Sequence, residues 1–281
     1  MFNKALLMSF AKKVDGSRNT LSFVASNDGS GIDFFKDISS TYHPDSAFTV
    51  KINGETTDQN YRSLSFVAGD KVKITCDDGF SFPTFKGDNH IGEISPLPLM
   101  TSSSGSAVTV LERVFLGSYL TSVPEDLFIN NTSITNIDLA FSLCKSLTSV
   151  PENLLANNVE VDSVNSLFSG CSKLDSIPEK LFANNKKITN FYQVFKSCTS
   201  LTSVPENLFE SQTSADGFVY AFSGCSNLSG RIRIYSEKVK YVNSFCNGCQ
   251  SMTVIVPAGS TTETTFRNYA ATVTNLTVET F

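Results

Sequence analysis

Side chains able to do acid–base, nucleophilic or metal chemistry are sparse in this chain. There are two histidines, His43 and His90. Neither sits in a nucleophile or zinc-protease motif, so both read as surface or turn residues. No G-x-S-x-G, Walker loop or dinucleotide fingerprint is present. Asp28 to Gly31 is glycine-rich but lacks the strand–loop–helix setting of a phosphate cradle, and it reads as a flexible turn. Cys246 and Cys249 have a metal-like spacing. A structural zinc wants four ligands, commonly from two such pairs, and no second pair exists. One of the two cysteines is expected to belong to a repeating series and the other to be incidental. Glu125, Glu152, Glu179 and Glu206 form a spaced row. A calcium site is one reading; electrostatic support for the starts of short helices is the simpler one. No catalytic residue, metal ligand or cofactor is therefore expected.

The bulk properties point the same way. The 281 residues suggest one large or two modest domains, and 41% hydrophobic with 17% charged residues is enough for a packed core. Net charge is −5, with no cluster of Lys or Arg. Phosphate-backbone binding relies on a concentrated basic face, so nucleic acid is not an expected partner. No apolar run reaches the ~18 residues that span a bilayer, so membrane insertion is not expected either. At the N-terminus, the run Ala5 to Ala11 is flanked by lysines without a clear cleavage site. It reads as a first strand or helix rather than a signal peptide.

What the chain does carry is a repeat. Leu120, Leu147, Leu174, Leu201 and Leu228 are 27 residues apart. Pro124, Pro151, Pro178 and Pro205 keep that step, as do Phe141, Phe168, Phe195 and Phe222, and Cys144, Cys171, Cys198 and Cys225. The 23 phenylalanines and the odd count of seven cysteines follow from this copying rather than from a disulfide framework.

Within a copy, Leu147 to Val150 reads as a short strand stopped by Pro151. Pro151 to Leu155 reads as a short helical turn, with proline at its first position. Asn157-Asn158 breaks that turn. Val161, Val164, Phe168 and Cys171 then follow at steps of three, four and three, the stripe of an α-helix, and Ile188, Phe191, Phe195 and Cys198 repeat it. One unit cannot bury its own stripe, but stacked units can, with neighbouring strands ~4.8 Å apart. The ladder cysteines are expected to act as small buried hydrophobes.

The array begins near residue 88, where Ile94-Ser95-Pro96 echoes the strand–proline element. Its fifth copy, SGRIRIYSEKVKYVNSFCNGC, is degenerate, as terminal repeats are. Met252 to Val256 reads as a last strand, Phe266 to Ala271 as a short helix behind the capping-box pair Ser260 and Glu263, and Asn275 to Phe281 as a closing strand.

The units CKSLTSVPENLLANN, CSKLDSIPEKLFANN and CTSLTSVPENLFESQ, each leading to Phe-x-x-Cys, resemble BspA-like bacterial surface-protein leucine-rich repeats. The closing IVPAGSTTETTFRNYA resembles the end element of such arrays. The resemblance covers about residues 116 to 281. It implies a surface-exposed adhesion or binding protein without catalytic residues, at the cell surface or outside the cell.

Residues 15 to 90 lack the repeat and alternate with period two: Leu21 and Phe23; Phe48, Val50 and Ile52; Leu64 and Phe66; Val72, Ile74 and Cys76; Phe80 and Phe82. Turn signals at Asn53-Gly54, Gly69-Asp70 and Asp78-Gly79 separate them. A small antiparallel sandwich or barrel is expected. The fold class is thus α+β: a β-sandwich-like domain over residues 1–90, then a leucine-rich-repeat solenoid of short parallel strands and helices over 91–281, capped by 253–281. Residues 95 to 107 suit a linker or a loop.

Such a chain suits a non-catalytic binding or adhesion protein. Thr121, Ser122, Thr148, Ser149, Asp175, Ser176, Thr202 and Ser203 would form a polar row for a protein or glycan partner, or simply be the solvated positions of the strands. The alternative is a phage virion or other assembly component, in a virion or the cytoplasm, whose β domain docks on a partner and whose repeats are displayed. An enzyme ranks below both.

Overall fold

The computed structural model describes residues 19–24, 29–32, 48–53, 55–57, 64–66, 71–76 and 107–281. His43, His90, Asp28, the segment 1–18, the turns at 69–70 and 78–79, Phe80 and Phe82, and the start of the array near residue 88 lie outside them.

Among the described residues, the N-terminal part contains six strands: β1 (Asn19–Val24), β2 (Gly29–Ile32), β3 (Phe48–Ile52), β4 (Glu55–Thr56), β5 (Leu64–Phe66) and β6 (Lys71–Cys76). One antiparallel sheet has the order β1-β6-β3-β4, and β2 pairs separately with β5. The β3–β4 hairpin pairs Ile52 with Glu55, and Asn53 between them takes φ 53°. Asparagine tolerates this left-handed region better than most residues. The glycine-rich stretch is not a free turn: Gly29–Ile32 is strand β2, with a register shift against β5. Glycines relieve the local distortion that such an irregularity needs.

From residue 107 onward, the backbone advances in coils related by the repeat step. Parallel bridges run Val110–Asn136–Ser163–Asn190–Gly217–Tyr241. The phenylalanine rings form a column. Phe115 and Phe141 lie 5.3 Å apart, Phe141 and Phe168 5.4 Å, Phe168 and Phe195 5.7 Å, and Phe195 and Phe222 5.6 Å. All five rings are stacked and buried. Phe182 and Phe209, and Phe191 and Phe218, start two further stacks beside it.

The stripe segments are not α-helices. Among the described residues the one α-helix is α1 (Thr261–Ala270). Instead, two hydrogen-bond patterns interleave. Leu167, Ser169 and Cys171 donate to the carbonyls of Val164, Ser166 and Phe168, each three residues back. Between them, Ser166, Phe168 and Gly170 donate to Tyr192, Val194 and Lys196 of the next coil. A helix would keep every N–H within its own segment. Here half of them join the coils, so backbone satisfaction itself depends on stacking.

The geometry requires two left-handed residues per coil, four positions apart: Arg113 and Gly117, Leu139 and Leu143, Ser166 and Gly170, Gln193 and Ser197, Tyr220 and Gly224, Ser244 and Gly248. Apolar spacings of three and four survive because each pair of turns advances the chain much as a helix does. The expected strand at Leu147 to Val150 is likewise not a strand. Thr148 N–H donates to Thr121 O at 3.2 Å, but proline three residues on has no donor and the ladder stops. Pro151 to Leu155 makes one tight turn, Leu154 N–H to Pro151 O at 3.3 Å, rather than a helix.

Left-handed φ costs a β-carbon-bearing residue about 1–2 kcal/mol. At the second position of the pair, glycine occupies four coils of six, and Leu143 (φ 60°) and Ser197 (φ 59°) the others. Leu143 is also half exposed. Leu143→Gly is expected to raise stability by about 0.5–1 kcal/mol, read as a higher melting temperature. Gly170→Ala should do the reverse, because its φ is +75° and a new Cβ would come 2.7 Å from Leu143 Cδ2.

The far end closes differently. Ile232 stands 27 residues after Pro205, so the backbone there can pair. Strands β7 (Gly230–Arg233), β8 (Met252–Val256) and β9 (Leu276–Thr280) form a parallel sheet in that order. Helix α1 begins where Ser260 accepts from Glu263 N–H and Glu263 reaches back to Gly259 N–H. Phe266 of α1 meets Phe245 edge-on at 5.2 Å and ends the aromatic column.

Candidate functional site

The expected polar row occupies equivalent positions of four successive coils. Thr121, Ser122, Thr148, Ser149, Asp175, Ser176, Thr202 and Ser203 are all exposed. The backbones of the first three coils are tied in succession, and Thr202 is tied to the coil that follows it. Thr148 N–H donates to Thr121 O, Asp175 N–H to Thr148 O at 3.1 Å, and Ser229 N–H to Thr202 O at 3.1 Å. The buried leucines before them and the buried valines and isoleucine after them hold this short exposed stretch in place. Thr148 Oγ1 also donates to Thr121 O, and Ser176 Oγ to Asp175 Oδ1 at 2.9 Å. The arrangement is a matched series of hydroxyls with one carboxylate. It offers hydrogen bonds to a ligand and has no nucleophile–base pair.

The glutamates do not stand at helix starts. Glu179 and Glu206 bridge coils laterally. Glu179 Oε1 accepts from Asn207 Nδ2 at 3.1 Å, and Glu206 meets Arg233 at 2.9 Å and Arg231 at 3.7 Å. Such exposed pairs are worth little each. Among the described residues, no three His, Cys, Asp or Glu side chains gather as a metal would require.

The cysteines do more than fill space. Each thiol donates to the carbonyl of the column phenylalanine one coil back: Cys144 to Phe115 at 3.0 Å, Cys171 to Phe141 at 3.1 Å, Cys198 to Phe168 at 3.2 Å and Cys225 to Phe195 at 3.0 Å. Cys249 continues the series to Phe222 at 3.2 Å. Cys246 instead takes the column position itself: Phe195 N–H donates to Ala221 O, just before Phe222, and Phe222 N–H donates to Phe245 O, just before Cys246. The two thiols of Cys246-x-x-Cys249 thus serve different rows. Burial pushes the Cys144 and Cys246 thiols up to about 12 and raises Cys171 as well. They stay protonated at neutral pH, which disfavours nucleophilic attack.

One row was not anticipated. Asn158, read as a helix breaker, and its counterpart Asn185 are buried. Asn158 Nδ2 donates to Asn131 O at 2.9 Å and Phe128 O at 3.3 Å. Asn185 Nδ2 repeats this on Asn158 O at 2.8 Å and Leu155 O at 3.2 Å, and Gln212 Nε2 on Phe182 O at 2.8 Å. The only signal was the phase: the second residue of Asn130-Asn131, Asn157-Asn158 and Asn184-Asn185 recurs at the repeat step.

Comparison with known proteins finds no matching family model, no matching curated protein and no matching solved structure. The likeness to BspA-like repeats stands on the repeat residues alone. Among the described residues, no helix is long and apolar enough to cross a membrane.

Proposed function

We propose that this chain is a non-catalytic binding or adhesion protein. Residues 91–281 act as a BspA-like leucine-rich-repeat solenoid, and residues 1–90 as a separate small β domain. The Thr/Ser/Asp row contacts a protein or glycan partner at the cell surface. The observation that supports this reading is the in-phase exposure of eight polar side chains on backbones hydrogen-bonded from coil to coil. Repetition of one contact along a rigid face suits an extended ligand, since each added contact adds little ordering cost.

The test is the full chain on arrays of immobilised glycans and proteins, beside the pair Thr148→Arg with Thr202→Arg. Both positions are exposed, so stability should change by less than about 0.5 kcal/mol. Array binding should fall about tenfold or more. Binding that survives both arginines would reject this row as the contact surface.

A further inference from the structure

A second surface, built from a different part of each coil, has the chemistry of a saccharide site. It starts at Tyr192 and Tyr220, whose rings meet edge-on with centroids 6.2 Å apart. Gln193 Nε2 donates to the Tyr192 hydroxyl at 2.9 Å, and the Lys196 ammonium sits 5.3 Å from the centre of the Tyr220 ring. Tyr192 is 37% exposed, although a tyrosine gains from burying its ring. Left-handed backbone at Gln193 and Tyr220 helps to fix this stretch.

Tyr220 N–H donates to Asn243 O at 3.0 Å, which sets Asn243 and Ser244 beside it on the next coil. Those two residues form one wall of an open cleft of about 540 Å³, between the fifth coil and α1. Asn268, Tyr269 and Thr272 of the α1 region and Lys240 also line it. Lys240 is the one charged side chain of the lining. The cleft presents amides, hydroxyls and an ammonium beside apolar surface that includes Val242 and the Tyr269 ring, polar and apolar in about equal measure.

We propose that this strip and cleft bind an acidic oligosaccharide, with an anionic sugar at Lys240 and neighbouring sugars running back over Tyr220 and Tyr192. A sugar ring has an apolar face that fits an aromatic ring, and an edge of hydroxyls that fits amides and serines. A peptide partner would want an enclosed apolar anchor pocket, and this cleft is open. Lys196 and Lys240 give the strip two ammonium groups, and no carboxylate lines the cleft to oppose them. That balance favours a carboxylate- or sulfate-bearing sugar over a neutral one.

The experiment is calorimetric titration of the full chain, at low salt, with hyaluronan hexasaccharide, a galacturonate hexasaccharide and neutral chitohexaose. At least one acidic oligosaccharide should bind, and about tenfold more tightly than chitohexaose. Its affinity should fall as salt screens the charge. Lys240→Gln should remove most of that preference, and Tyr192→Ala should weaken binding about tenfold with an unchanged melting temperature. The Thr148→Arg and Thr202→Arg pair should leave the titration unaltered, which separates this site from the hydroxyl row. The proposal is overturned if neither acidic oligosaccharide binds, if chitohexaose binds as well as they do, or if Lys240→Gln and Tyr192→Ala both match the parent chain.

Discussion

Asn185→Asp is expected to be among the most damaging single-atom changes available to this protein. The Asn185 side-chain amide supplies both donors that reach Leu155 O and Asn158 O. A carboxylate there has no donor and faces two carbonyls from a fully buried position. Loss of the two bonds alone costs about 2–4 kcal/mol. An uncompensated buried charge adds to this until the group takes up a proton. Burial raises the pKa of the introduced acid above its unfolded value. Stability is therefore retained best below the unfolded pKa and is lost as pH rises toward the folded one. Denaturant melts from pH 4 to 7 should show the deficit against the parent chain widening with pH. Asn185→Leu, which removes the donors without adding charge, should show a deficit of about 2–4 kcal/mol that is flat with pH. A pH-independent Asn185→Asp deficit no larger than that of Asn185→Leu would show that water reaches the row.

The second large effect belongs to the aromatic column. Phe195 is fully buried, stacked 5.7 Å from Phe168 and 5.6 Å from Phe222, with Phe182 tilted against it at 6.3 Å. Phe195→Ala should cost about 3–5 kcal/mol, from lost burial and from a cavity the neighbouring coils cannot close. They cannot close it because their spacing is fixed by backbone bonds, Phe168 N–H to Val194 O and Phe195 N–H to Ala221 O. A loss under about 1 kcal/mol in chemical denaturation would argue that the column does not act as a stack.

These cases also mark what was readable in the chain. The repeat step is written in invariant Leu, Pro, Phe and Cys positions, and it placed the exposed hydroxyl row and the buried stripes. The capping box at Ser260 and Glu263 marked the start of α1. The helices within the coils were misread for a physical reason. Spacings of three and four describe any chain that turns once every three to four residues, and hydrogen-bond direction leaves no periodic trace. Left-handed φ is usually announced by glycine. Here Leu139, Leu143, Ser166, Gln193, Ser197 and Tyr220 adopt it without that mark. The cysteines read as hydrophobes because burial is their commonest state; their thiol donors needed the neighbouring coil to be seen. The strip at Tyr192, Tyr220 and the α1 cleft was illegible because its members differ from copy to copy. Only the coil step brings Lys196, Tyr220 and Asn243 together.

The cross-coil bonds have one more consequence. Every ladder in the array, whether of backbone, thiol or amide, reaches just one coil back or one coil forward. An in-frame excision of 27 residues between equivalent points of the second and third copies would therefore rejoin matching partners on both sides of the seam. Gene length in such a protein is free to vary in units of 27 codons, and the reach of the molecule can change by slipped recombination while each remaining rung stays whole.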